Sequence, residues 1–255
     1  MLHPKKIRSA TIRCVTPIHA IEISREYFEK YLASSGLTLD LKEKDRTRKR
    51  NRAKTILRLQ KNLRPLQMKK GDVIFREGDE AEGLYIVEEG KIEVFVDSKK
   101  VFTANPGDLV GEHSMVMARP RNTTAICAGD NCIIQEMKAR DFYEIYNSST
   151  HIKTSLREVC YRREFQKALV KKTNKEFPNV EAVDLRQMFD AADLHKSGVL
   201  QIGEVTDLLK SFDPSMTEEE IKDAVKTLDL DESGRISFDE FKIIFGMNEA
   251  GAASI

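Results

Sequence analysis

Three groups of residues have the types and spacing to hold ligands. In Asp229-Leu230-Asp231-Glu232-Ser233-Gly234-Arg235-Ile236-Ser237-Phe238-Asp239-Glu240, side-chain oxygens stand at positions one, three, five and nine, and a glycine at six permits a sharp turn. The Arg235 backbone carbonyl and both oxygens of Glu240 complete the set, and calcium takes about six to eight such hard oxygen donors. Asp229, Asp231, Ser233, Arg235 and Glu240 are therefore candidate calcium ligands. The stretch Asp193-Leu194-His195-Lys196-Ser197-Gly198-Val199-Leu200-Gln201-Ile202-Gly203-Glu204 has the same frame. Asp193, Ser197, Val199 (through its carbonyl) and Glu204 keep their places, but His195 puts an imidazole where an oxygen is wanted. This loop reads as a weaker or structural half-site. The third group, Gly111-Glu112-His113-Ser114 with Arg121-Asn122-Thr123, sets a carboxylate nine residues before an arginine. A guanidinium fork suits planar phosphate oxygens, a carboxylate accepts from a sugar hydroxyl, and Gly111 lets a backbone come close.

These groups need rigid elements to hold them. From Met68 to Met137 the pattern is short and alternating, with strands expected over 73–76, 84–87, 92–96, 100–103 and 133–137. Gly71, Gly78, Gly83, Gly90 and Gly107 punctuate them, the pattern of a small antiparallel barrel or jelly roll. Residues 139–175 read as helix. Four helical segments follow, with the two acidic loops between them. Leu200 and Ile236, at equivalent loop positions, are expected to pair across a short strand, and Thr217 with Glu220 to form a capping box. Phe189, Leu208, Phe212, Ile221, Leu228, Phe238, Phe241 and Phe245 are the expected core of this helical part. The fold class is α+β and multidomain: an antiparallel β-barrel or jelly roll with flanking helices, followed by an all-α helical pair.

Two resemblances follow from these motifs. The glycine-punctuated strands, Asn105-Pro106-Gly107-Asp108, Gly111-Glu112-His113-Ser114-Met115 and Pro120-Arg121-Asn122-Thr123-Thr124 resemble the cyclic nucleotide-binding domain family over about residues 60–170. The resemblance implies a phosphate-binding cassette in which Arg121 takes the cyclic phosphate and Glu112 the ribose 2′-hydroxyl. It departs from the family at His113 and Ser114, where an apolar residue and alanine are usual, and Asn122 leaves the choice between cAMP and cGMP open. The acidic loops resemble those of a calmodulin-like EF-hand pair, which implies calcium as a ligand and a basic amphipathic helix as its target. The chain offers two such helices, around Arg46–Arg64 and His151–Lys175. The nucleotide-binding family places its lid helix at the second.

Arg8-Ser9-Ala10-Thr11-Ile12-Arg13-Cys14 is echoed 113 residues later by Arg121-Asn122-Thr123-Thr124-Ala125-Ile126-Cys127. Strands over 10–15 and 19–23 and a helix over 24–33, entered at Ser24, repeat the order that follows the cassette. The expected organisation is a C-terminal remnant of a first nucleotide-binding domain over 1–35 and a basic linker or helix over 36–60. A complete domain with its C-terminal helices then covers 61–175, the EF-hand pair 180–248 and a flexible tail 249–255.

Charge supports the division. The chain has 42 Lys+Arg against 41 Asp+Glu, yet residues 183–255 carry 16 acids and 7 bases, a balance of −9 that leaves +10 for residues 1–182. The acidic part disfavours nucleic acid as a partner, and no apolar run is long enough to span a membrane. Four scattered cysteines suggest neither a zinc site nor a disulfide framework, which fits a reducing cytoplasm. There is no G-x-x-x-x-G-K-[ST] phosphate loop, kinase catalytic loop or supported nucleophile–base pair, so the expected function is non-enzymatic. It is that of a sensor binding a cyclic nucleotide and calcium, and acting on an effector such as a kinase catalytic subunit. The alternatives are a regulatory subunit of a cyclic nucleotide-dependent protein kinase with appended calcium modules, or a cytosolic regulatory fragment of a larger channel or kinase.

Overall fold

A computed structural model describes residues 21–24, 26–28, 30, 37–173 and 182–245. The chain divides into two compact units, residues 1–38 and 39–255. In the first, Ser24 opens a helical turn: its hydroxyl accepts from the Tyr27 amide at 3.4 Å and its carbonyl from the Phe28 amide at 3.0 Å. Residues 21–23 are irregular where a strand is expected over 19–23. The expected strand over 10–15, the repeat at Arg8–Cys14 and the tail 249–255 lie outside the described residues.

The second unit holds all but the first two residues of α1 (Leu37–Arg58), so the basic stretch is a helix rather than an open linker. Two four-stranded antiparallel sheets follow. One has the order β1 (Arg64–Lys69), β8 (Asn131–Lys138), β3 (Gly83–Glu89), β6 (Leu109–Val110). The other has the order β2 (Val73–Phe75), β7 (Thr124–Cys127), β4 (Ile92–Val96), β5 (Lys99–Ala104). The strands expected between residues 73 and 137 are all present, with shifts of one or two residues at some ends. β1, β6 and β7 are additional. Along β4 the side chains of Ile92, Val94 and Val96 are buried while Glu93 and Phe95 are less so, the alternation of a strand with one face on the core.

Between β6 and β7 sits the short helix α2 (Glu112–Met117), and after β8 come α3 (Ala139–Ser148) and the long α4 (Thr150–Thr173). Leu156 and Cys160 of α4 pack with Leu84, Met115 and Phe142 on the sheet side. Tyr161, Phe165 and Leu169 belong to a different apolar cluster that runs on into the C-terminal helices. Burial on two faces is why α4 lacks a clean helical period in sequence.

The C-terminal helices are α5 (Ala182–Ala192), α6 (Ile202–Phe212), α7 (Glu218–Leu228) and α8 (Phe238–Ile244), with strands β9 (Val199–Gln201) and β10 (Arg235–Ser237) inside the loops. Ile236 pairs with Leu200 as expected. Capping boxes open α6, α7 and α8, including the expected one at Thr217 and Glu220. Phe189, Phe241 and Phe245 form an aromatic core, and Phe165 of α4 meets Phe241 edge to face at 6.0 Å.

One expectation is corrected. Cys127 and Cys132 form a disulfide with a Cα–Cα distance of 6.4 Å. β7 ends at Cys127 and β8 begins at Asn131, so the three-residue turn between them sets the two side chains together. Sequence spacing alone does not report that reversal. Cys160 is a free, buried thiol, and burial pushes its pKa well up.

Candidate ligand sites

The cassette begins at Gly111, whose φ of 79° lies in the left-handed region. A Cβ there would sit 2.5 Å from Arg121 Nη1, so the position needs glycine for both backbone and space. Arg121 Nη1 donates to the Gly111 carbonyl at 2.7 Å and Nη2 to the Gly83 carbonyl at 2.5 Å. The guanidinium lies 4.3 Å over the Phe75 ring, and its buried Nε has no partner. Burial pushes the Arg121 pKa down. A desolvated cation with an unused donor suits an anion of phosphate type.

Gly111, Glu112, His113, Ser114, Asn122 and Thr123 line one cavity, and Arg121 stands behind Gly111 rather than in the wall. The cavity holds about 30 Å³. That is water-sized, against roughly 300 Å³ or more for a nucleotide-sized ligand. The space is taken by α4. Arg163 Nη1 bonds the Glu112 carboxylate and donates to the Leu109 carbonyl at 2.7 Å, while Nη2 reaches Asp108 at 3.4 Å. Its guanidinium lies 4.7 Å over the Phe102 ring. Burial works against the Arg163 charge, but Glu112 and Asp108 overcome it and hold its pKa above the usual value. One turn on, Lys167 bonds Glu164, and Glu164 accepts from Asn122 at 3.1 Å. His113 Nε2 lies 3.9 Å from Glu164, and burial depresses its pKa, which leaves the ring neutral near pH 7. The chemistry of the donor set fits a cyclic nucleotide. The volume requires α4 to move.

Sequence reasoning missed Arg163, Glu164 and Lys167. Arg163 is 51 residues from Glu112, inside a helix whose many basic residues look alike.

In the second acidic loop, Asp229 accepts from the Ser233 amide at 3.1 Å and the Gly234 amide at 2.8 Å. Glu240 Oε1 accepts from the Leu230 amide at 2.7 Å and the Asp231 amide at 3.1 Å, and Oε2 from the Ser237 amide at 2.8 Å. Ser233 Oγ donates to the Arg235 carbonyl at 3.2 Å, so these two expected ligands are neighbours. Asp229, Asp231 and Glu240 have ligand oxygens all within 4.8 Å of one another, the one such set among the described residues. An all-oxygen cluster of this size fits calcium.

The first loop is drawn in differently. Asp193 takes the Ser197 amide at 2.9 Å and the Gly198 amide at 2.7 Å, and Ser197 Oγ donates to the Val199 carbonyl at 2.8 Å. His195 Nδ1, however, lies 2.9 Å from Glu204 Oε1, so the imidazole engages the carboxylate that should close a metal shell.

The helical pair grips the rest of the unit in three places. Arg162 of α4 donates to the Ile243 carbonyl at 2.7 Å, and Gln166 to that of Ile244 at 2.7 Å. Arg119, at the end of the cassette, reaches Asp213 at 3.1 Å, the Ser215 carbonyl at 2.9 Å and Glu220 at 2.6 Å. From α1, Lys42 donates to the Leu230 carbonyl at 2.8 Å and Arg46 to that of Thr227 at 2.7 Å. Both basic helices expected from sequence as targets of the pair therefore contact it.

Two antiparallel sheets around a cassette, followed by paired acidic loops on capped helices, define a two-module ligand-binding unit. Residues 65–149 match the family model described as the cyclic nucleotide-binding domain, and residues 182–246 match that of the EF-hand domain pair. The chain carries one of each, which imply a cyclic nucleotide and Ca2+ as ligands. It is similar to the cAMP-dependent protein kinase regulatory subunit of Eremothecium gossypii, 38% identical over 87 residues, or 34% of this chain and 19% of that protein. It is also similar to that of Yarrowia lipolytica, 34% identical over 97 residues, 37% of this chain and 26% of that protein. A cGMP-dependent protein kinase of Drosophila melanogaster is 24% identical over 194 residues, 70% of this chain and 20% of that protein. The chain thus spans 19% to 26% of the length of these relatives. Among solved structures, the regulatory subunit of a cAMP-independent protein kinase A from Trypanosoma brucei is similar with a TM-score of 0.32 and 26% identity, over 33% of this chain and 31% of that one. No described helix is long and apolar enough to cross a membrane.

Proposed function

We propose that the chain is a non-enzymatic sensor that couples a cyclic nucleotide, cAMP or cGMP, to calcium and passes both signals to an effector protein. The observation that carries this reading is the double engagement of α4. Its Arg163 fills the cavity and bonds Glu112, while the adjacent Arg162 and Phe165 are held by the helical pair. A nucleotide needs α4 to withdraw, and calcium changes the pair that holds α4, so each ligand biases one shared element.

Gly111, Glu112, His113, Ser114, Arg121, Asn122 and Thr123 would receive the nucleotide. Asp229, Asp231, Ser233, Arg235 and Glu240 would hold calcium. Calorimetry of cAMP and cGMP with saturating calcium and with chelator is expected to show Kd values differing by about 5- to 150-fold. Linkage requires calcium affinity to shift by the same factor when nucleotide is added. Equal nucleotide affinities in the two conditions would reduce the protein to two independent modules.

The first loop would act as a metal-free partner, because His195 occupies Glu204 from within. Wild type is expected to bind about one calcium per chain, and His195→Asp, which restores an oxygen at position three, about two. Two calcium ions in the wild type would overturn this assignment.

A second reading has support from the relatives. Their named role points to a kinase catalytic subunit as the effector. Capture of such a subunit by the immobilised chain, with release on adding cyclic nucleotide, would favour it.

A further inference from the structure

α1 reaches into the edge of the second acidic loop. Leu230, whose carbonyl accepts from Lys42 Nζ at 2.8 Å, stands between the candidate ligands Asp229 and Asp231. Arg46, one turn further along, holds the Thr227 carbonyl at the end of α7. Two cations of one helix are thus fixed beside the cluster that would receive a divalent cation.

The rest of α1 is anchored elsewhere. Glu43 is shared by Arg50 of α1 and Arg162 of α4, and Asp108 by Lys54 of α1 and Arg163 of α4. Ala53 and Leu57 are fully buried against the sheet. α1 therefore cannot drift away freely, and its Lys42 end is held on the backbone of the acidic loop.

We propose that Lys42 is a positioning residue that opposes calcium in the second loop, and that calcium in turn loosens the Lys42 end of α1. This rests on the calcium reading of Asp229, Asp231 and Glu240. The ammonium is an occupant of the site's field that a metal must overcome, and the effect is coulombic, so salt weakens it. By linkage, whatever affinity Lys42 removes from calcium, calcium removes from the Lys42–Leu230 contact. α1 becomes a second strap, beside α4, between the calcium loop and the lip of the nucleotide cavity at Asp108.

The sign of the effect separates this from a structural role. Removing a merely structural contact from Leu230 loosens the loop and weakens calcium binding. The proposal requires the opposite: Lys42→Gln binds calcium about three- to tenfold tighter than wild type by calorimetry on the full chain, and the gain shrinks as salt is raised. Lys42→Arg, which keeps the charge, restores the wild-type affinity. Lys49→Gln, which removes a cation from the same helix that pairs with Asp45, leaves calcium affinity unchanged. In wild type, calcium speeds amide exchange over residues 43–50. Unchanged or weaker binding by Lys42→Gln overturns the proposal while leaving the calcium site standing, and unchanged exchange overturns its reciprocal half. A wild-type chain that takes up no calcium overturns the calcium reading itself, and this proposal with it.

Discussion

Arg121→Ala is expected to weaken cyclic nucleotide binding by about 100- to 1,000-fold, ~3–4 kcal/mol. The argument rests on the state of the guanidinium before any ligand arrives. It is already withdrawn from water, stacked on Phe75, and held by two backbone carbonyls, with Nε unused. A charge that has been desolvated in the fold interacts more strongly with an incoming phosphate than a solvated one does. Alanine removes that attraction and also leaves the Gly111 and Gly83 carbonyls without their donor, at a further cost to the fold of about 1–3 kcal/mol. Arg121→Lys separates the two effects. It keeps the charge but loses the fork, so its affinity should fall between wild type and alanine while the folded state is better preserved. The measurement is a calorimetric titration alongside a melting curve. An alanine variant that folds and keeps wild-type affinity would remove Arg121 from the site.

How far the sequence led depends on the range of each interaction. Position-coded features were legible. The loop Asp229–Glu240 is a local pattern, because its candidate oxygens sit within one turn-forming stretch, and the fold brings those of Asp229, Asp231 and Glu240 within 4.8 Å of one another. The Thr217–Glu220 box and the Leu200–Ile236 pair are equally local in kind. The strands around Gly71, Gly83 and Gly90 were legible because alternation and turns mark them. What escaped was decided by long-range packing. β6 has two residues and therefore no period to read. β1 follows a polar, irregular entry, and its partner β8 lies about 65 residues away. Cys127 and Cys132 look unremarkable until a chain reversal joins them. The closed cavity is also decided by long-range packing. Gly111, Glu112, His113, Ser114, Asn122 and Thr123 are together where the motif implies, but nothing in their neighbourhood announces that Arg163 closes the space between them.

That closure gives the second large effect, and its sign is opposite to the first. Arg163→Met is expected to tighten cyclic nucleotide binding by about 10- to 100-fold, ~1.4–2.7 kcal/mol. In the described conformation the ligand must first break the Arg163 contacts with Glu112, Leu109 and Asp108 and separate the guanidinium from Phe102. Such a closed state reduces apparent affinity by the fraction of molecules that are open. Methionine keeps the apolar stem that packs along the cavity wall and removes the charge-assisted bonds. Its cost falls on the closed state alone: Glu112 loses its partner there, whereas with nucleotide bound it would, on the proposed reading, gain a ribose hydroxyl. Asp108 is buffered in both states because Lys54 remains bonded to it at 3.0 Å. The same substitution should bring the nucleotide affinities with and without calcium closer together, since calcium would then act on a helix that no longer plugs the site. Weaker nucleotide binding by Arg163→Met would make Arg163 a ligand contact instead of a competitor, and the coupling would need another route, such as α1 or the contacts of Arg119.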